Sequence, residues 1–272
     1  MQTPRALAFI LLVTLLAITR AVADDQPGTS DTPGQPSTPA VPTPPSETPA
    51  QNLPTARTRV VIEGFTLQVD DRLFTAEHEA LRLRALRFME SELSDITMVV
   101  AADRVERFRK VTIVLDLDHG KLGPMQYHPS AGWLRDNGYS PDLAKCVHLP
   151  RAKDVVTSRN IREQPWVILH ELSHAYHDQV LGFDDPRIIA AYDNYKNSGR
   201  GDKTLLHNGK RVRHYALTNH KEFFAEMTEA YIGSNDFFPF NRAELKESEP
   251  EIYALMREIW DSPDPQGQAG SP

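Results

Sequence analysis

Apolar positions fall mainly into short extended runs early in the chain and into helical spacings later. Val60 to Val69 has strand character, with Gly64 as a candidate bulge. Ala76 to Leu93 carries Leu81, Ala85, Phe88, Met89 and Leu93 at helical spacing, which predicts a helix packed on one face. Val111 to Leu117 is rich in β-branched residues, ends at Asp118-His119-Gly120 and predicts the clearest strand. Gly123 to Asp142 reads as a loop-rich stretch containing Tyr127, Trp133 and Tyr139, and Cys146 to Arg151 as a short strand. A helix is expected from about Pro165, or from an earlier cap formed by Asn160 with Glu163, to about Leu181, where Gly182 stops it. Its first half is apolar nearly all round, so it should be buried. Asp184 or Asp185 is expected to cap a helix over Ile188 to Tyr195, followed by a Gly199-Arg200-Gly201 loop. Two more helices are expected, Asn219 to Ile232 ended by Gly233, and Glu249 to Trp260. Strands early and helices late predict an α+β fold.

The two ends follow no such pattern. Arg5, the apolar run Ala6 to Ile18 and Ala21-Val22-Ala23 predict a secretory signal peptide over residues 1–23, cleaved after Ala23. A membrane anchor is the other reading, but the run is shorter than the ~20 residues a bilayer requires and Arg20 interrupts it. Residues 24–58 are rich in Pro, Thr and Ser, a composition that cannot bury enough surface to order itself, and predict a stiff linker. Residues 263–272 read as a similar tail, leaving one domain over 59–262. The expected location is secreted, or the periplasm and cell envelope, with no stable membrane insertion after cleavage.

Charge and cysteine narrow the picture slightly. The 272-residue chain has a formal net charge of −7, which argues against nucleic acid or an anionic membrane as the main partner. Cys146 is the single cysteine. It can form no internal disulfide, so stability must come from the core or a metal, and the thiol is expected to be buried and inert.

The chemistry concentrates in His170-Glu171-Leu172-Ser173-His174. Histidines four apart on a helix point the same way and can reach one zinc at ~2.0–2.1 Å. Glu171 can lean toward the open coordination position as general base and acid. A wet helix face without metal is the plainer reading, but two histidines on a buried helix need polar partners. A third histidine of the metzincin kind is ruled out, since residue 177 is His rather than Gly and residue 180 is Val. His177 lies ~10.5 Å along the helix from His170, too far to share an ion, and is expected at the surface or behind the ligands. Glu222, Glu226 and Glu229 recur at i, i+4 and i+7 beside a stripe of Phe223, Met227, Ala230 and Tyr231. This is either a solvated acidic face or the source of a third ligand that completes a His₂Glu zinc site. Periodicity alone does not choose between Glu222 and Glu226.

The run from Tyr215 to Glu226, Tyr-Ala-Leu-Thr-Asn-His-Lys-Glu-Phe-Phe-Ala-Glu, resembles the catalytic domain of the anthrax lethal factor family. The resemblance covers well under a quarter of the domain. It implies a zincin-like metallopeptidase with a small mixed sheet, an active-site helix and a second ligand-bearing helix. It further implies one Zn2+ per chain, Glu222 as third ligand, Glu226 orienting a ligand histidine, and Tyr215 donating to the oxyanion. Nothing upstream matches the toxin's receptor-binding and substrate-recognition regions, so its targets are not implied. The expected function is hydrolysis of peptide bonds in a protein or peptide substrate through a zinc-activated water. The Cys146 to Arg151 strand is a candidate edge for an extended peptide. The alternatives are a non-catalytic binding module of the same fold on a Pro-rich stalk, and a metal-free structural domain.

Overall fold

A computed structural model describes residues 53–262. The expected signal segment, most of the linker and the tail lie outside the described residues. The domain opens with a hairpin of β1 (Arg57–Ile62) and β2 (Phe65–Asp70). Glu63 and Gly64 form its two-residue turn, with φ of 51° and 83°, and Ile62 pairs with Phe65. Gly64 is therefore a turn residue and not a bulge, because positive φ at both central positions matches the twist of the flanking strands.

Helices α1 (Glu79–Val99) and α2 (Ala102–Phe108) follow, and then β3 (Ile113–Leu115). The loop-rich stretch holds β4 (Gln126–Tyr127) and α3 (Ala131–Asp136), the latter capped by Ser130, whose side chain accepts from Trp133 N–H. Next come β5 (Val147–Leu149) and α4 (Ala152–Val155). Helix α5 (Val167–Tyr176) starts two residues after Pro165 and continues as a π-helical turn to Leu181, where Gly182 has φ 86°. Asp185 caps α6 (Pro186–Ser198), which closes at Gly199 in the left-handed region. After the small hairpin β6 (Thr204–Leu205) and β7 (Arg211–Val212) the chain enters α7 (His220–Ile232), α8 (Arg242–Ser248) and α9 (Pro250–Asp261).

The main sheet has the order β1-β2-β3-β5-β4, parallel from β2 through β5 and antiparallel at both ends. This mixed sheet with helices makes the domain α+β. The strand expected at the edge, β5, has neighbours on both sides, and β4 takes the edge instead. Alternate residues of β3 face opposite ways. Ile113 and Leu115 join the main core with Met89, Leu93, Ile168, Leu172 and Phe224, whereas Val114 joins a smaller cluster with Leu122, Leu134, Leu143 and Cys146. The main core thus wraps α5 between the sheet and the helices behind it, which is why the helix bearing the His-His pair can be apolar nearly all round.

Candidate metal centre

His170 and His174 stand one turn apart on α5, ring centroids 4.8 Å apart, with their Nε2 atoms 3.2 Å apart. Glu222 comes to them from the first turn of α7. Asn219 sets that turn, its side chain accepting from the N–H groups of Lys221 and Glu222. Glu222 Oε2 lies 3.2 Å from His170 Nε2 and 3.3 Å from His174 Nε2. Three atoms bound at 2.0–2.1 Å around one tetrahedral centre lie about 3.3 Å apart, so the spacing fits a His₂Glu zinc site.

Glu229 Oε1 is 2.5 Å from His170 Nδ1, which places a proton on Nδ1. His170 Nε2 faces both His174 Nε2 and a carboxylate oxygen, a donor set that suits a cation when the two rings are neutral. Burial would raise the pKa of Glu222, but its contacts with the two histidines outweigh this and hold the carboxyl well below its ordinary range. Burial likewise acts to lower His170, and contacts with Glu222 and Glu229 raise it well above the usual value.

The contact expected of Glu226 is made by Glu229. Glu226 Oε1 is 3.8 Å from His170 Nδ1, too far for a hydrogen bond, and its Oε2 has no hydrogen-bond partner, lying 3.7 Å from His214 Nδ1. Burial and the neighbouring Glu229 push the Glu226 carboxyl well above its ordinary value. Both glutamates project from the stripe that the sequence shows, three residues apart, and the packing of α7 on α5 decides which one meets the ring.

Glu171 is buried, and its Oε2 accepts from Tyr127 N–H at 2.8 Å. Tyr215 opens a short 3-10 turn before α7, is 46% exposed, and has its ring centroid 6.5 Å from that of His170. His170, Glu171, Tyr215 and Glu226 share the wall of a cleft of about 700 Å³ with Arg159 and Asp236. A larger cavity of about 850 Å³ between α6 and α9 contains none of them. The candidate site opens on the smaller one.

Two further features lie outside the ligand set. His177, expected at the surface or behind the ligands, is fully buried and packed on Phe183 and Phe224, with no hydrogen-bond partner at either ring nitrogen. A second cluster, which the sequence did not signal, joins Asp116, His119 and His148. Asp116 Oδ2 lies 2.8 Å from His119 Nδ1 and from His148 Nε2, while Arg57 binds both carboxylate oxygens at 2.7 and 2.8 Å. These are hydrogen-bond lengths, and the guanidinium already neutralises the acid, so the cluster is a polar network and not a metal cage. Cys146 is buried and its thiol is pushed up by burial, as suits an inert side chain. Comparison of the chain with protein-family models, curated proteins and solved structures gives no match.

Proposed function

We propose that the protein is a zinc-dependent metallopeptidase of zincin-like fold, acting on peptide or protein substrates after export to the cell envelope or beyond. The observation that carries the reading is the convergence of His170 Nε2, His174 Nε2 and Glu222 Oε2 at 3.2–3.3 Å beside Glu171, at the wall of an open cleft. Zinc bound there supplies Lewis-acid polarisation and makes a water nucleophilic at neutral pH.

The chain's own residues do the rest. Glu171 takes the proton of the attacking water and delivers it to the leaving amine. Glu229 holds the tautomer and orientation of His170 from behind. Tyr215 donates its hydroxyl to the oxygen that becomes negative during attack. A purely binding module of the same fold has no use for a base at Glu171.

The test is turnover of an unfolded-protein mixture, with and without chelator. Glu171→Gln is expected to retain its zinc and lose most turnover. Tyr215→Phe is expected to lose about 10²–10³ in kcat with little change in KM. Wild-type turnover in Glu171→Gln, or chelator-resistant cleavage by the native protein, contradicts the reading.

A further inference from the structure

Glu171 does not stand free in the cleft. Tyr127, which supplies the N–H to its carboxylate, donates its hydroxyl to Asp178 Oδ2 at 2.6 Å. Gln179 Nε2 donates to that hydroxyl at 3.1 Å, and Lys145 forms an ion pair with the same Asp178 oxygen. Glu171 lies on α5 and Asp178, seven residues on, in the π-helical turn that continues it. One residue of the edge strand therefore grips the helix at both points, by its main chain and by the far end of its side chain. Burial and Asp178 push the phenol well above its ordinary pKa, so it remains a donor.

The neighbouring residue secures the other face of β4. That strand pairs with β5 through Gln126↔His148 and Tyr127↔Val147, a short ladder that two backbone bonds extend, His128 N–H to Cys146 O and Lys145 N–H to His128 O. His128 Nε2 lies 3.1 Å from His148 Nδ1, and the polar chain continues through Asp116 to Arg57 of β1. Successive side chains of a strand point to opposite faces, so Tyr127 ties β4 to α5 while His128 ties it to the sheet.

We propose that Tyr127 is a positioning residue: it clamps β4 to α5 and fixes one carboxylate oxygen of Glu171, leaving the other for proton transfer. The role rests on the reading of Glu171 as proton carrier. A tyrosine that only packs needs its ring and not its hydroxyl, and Tyr127→Phe separates the two roles.

The experiment uses the full chain with its native metal content and two readouts, amide hydrogen exchange at residue 127 and steady-state kinetics. Loss of the Asp178 contact should loosen β4, so exchange at residue 127 rises about tenfold in Tyr127→Phe, as for one lost charge-assisted bond. Over the same change kcat should fall about tenfold with KM within about twofold. Asp178→Ala, which has no acceptor for the Tyr127 hydroxyl, should give the same pair of changes, and the double variant no more than Asp178→Ala alone, because both remove one contact. Should Tyr127→Phe fail to fold, Asp178→Ala carries the test. Unchanged exchange overturns the clamp. Faster exchange with unchanged kcat, in a protein that hydrolyses peptides, overturns the positioning role. If the native protein cleaves no peptide, the functional reading fails separately and exchange alone judges the clamp.

Discussion

His170 and His177 lie on one side of the same helix, yet their ring nitrogens meet different surroundings. Glu229 and Glu222 face the two nitrogens of His170, while His177 sits among Phe183 and Phe224 with neither nitrogen bonded. A buried polar atom left unpaired costs about 1–3 kcal/mol, so His177→Leu should raise the melting temperature at pH 7, by about 2–4 °C per kcal/mol for a domain of this size. Burial first, and then His220 and His174, push the His177 pKa down to about 3, against about 6.5 in an unfolded chain. Between those values the unfolded state binds a proton that the folded state refuses. Stability therefore falls by up to about 1.4 kcal/mol per pH unit as pH drops from 6.5 toward 3. His177→Leu should flatten that slope, although His128 and His214, also pushed down to about 3, keep part of it. Thermal melts across that window check both effects, and a lower melting temperature with an unchanged slope contradicts them. The His-Glu-x-x-His spacing made His170, Glu171 and His174 legible at this scale. The burial of His177 was not, because a polar residue near a helix end carries no sign of what packs over it. Nor could the exchange of Glu229 for Glu226 be read, since it turns on helix packing that periodicity does not encode.

At the scale of elements, the site depends on how closely α5 and α7 approach. Gly233 ends α7 against Trp166, the residue before α5, and a Cβ at Gly233 would lie 2.3 Å from the indole. Gly233→Ala must displace that ring and is expected to cost about 1–3 kcal/mol, whereas Gly132→Ala in α3, with no contact nearer than 3.6 Å, should not destabilise. Denaturant midpoints of the two variants test the contrast, and a neutral Gly233→Ala would remove Trp166 from the account of how α5 is set. Long periodic elements were legible: α6, α7 and α9 lie close to their expected spans, α1 runs on to Val99 beyond the expected Leu93, and Asn219, Asp185, Gly182 and Gly233 mark ends read from the sequence. Short ones were not. Two residues of β4 show no period, so the edge strand hid in a stretch read as loop, and β5 was taken for the edge in its place. Helix α8, only two turns long, left no readable stripe.

For the whole molecule, the early strands and late helices were enough to give an α+β fold, but not the order in which the strands pair. Two parallel neighbours, β2–β3 and β3–β5, depend on crossovers through helices and loops that local pattern does not specify. The Arg57-Asp116-His148-His128 chain, running from β1 to the end of β4, was invisible for the same reason, since its members meet only when the sheet assembles. The candidate metal centre also gathers residues from distant positions, two on α5 and one on α7, and its central claim is that His170, His174 and Glu222 hold one zinc. Elemental analysis of purified full-length protein tests this directly. The account predicts one zinc per chain in the native protein, strong loss in His174→Ala and Glu222→Gln, and more retained in Glu226→Gln. Native protein without zinc, or Glu222→Gln holding as much zinc as the native chain, would contradict it.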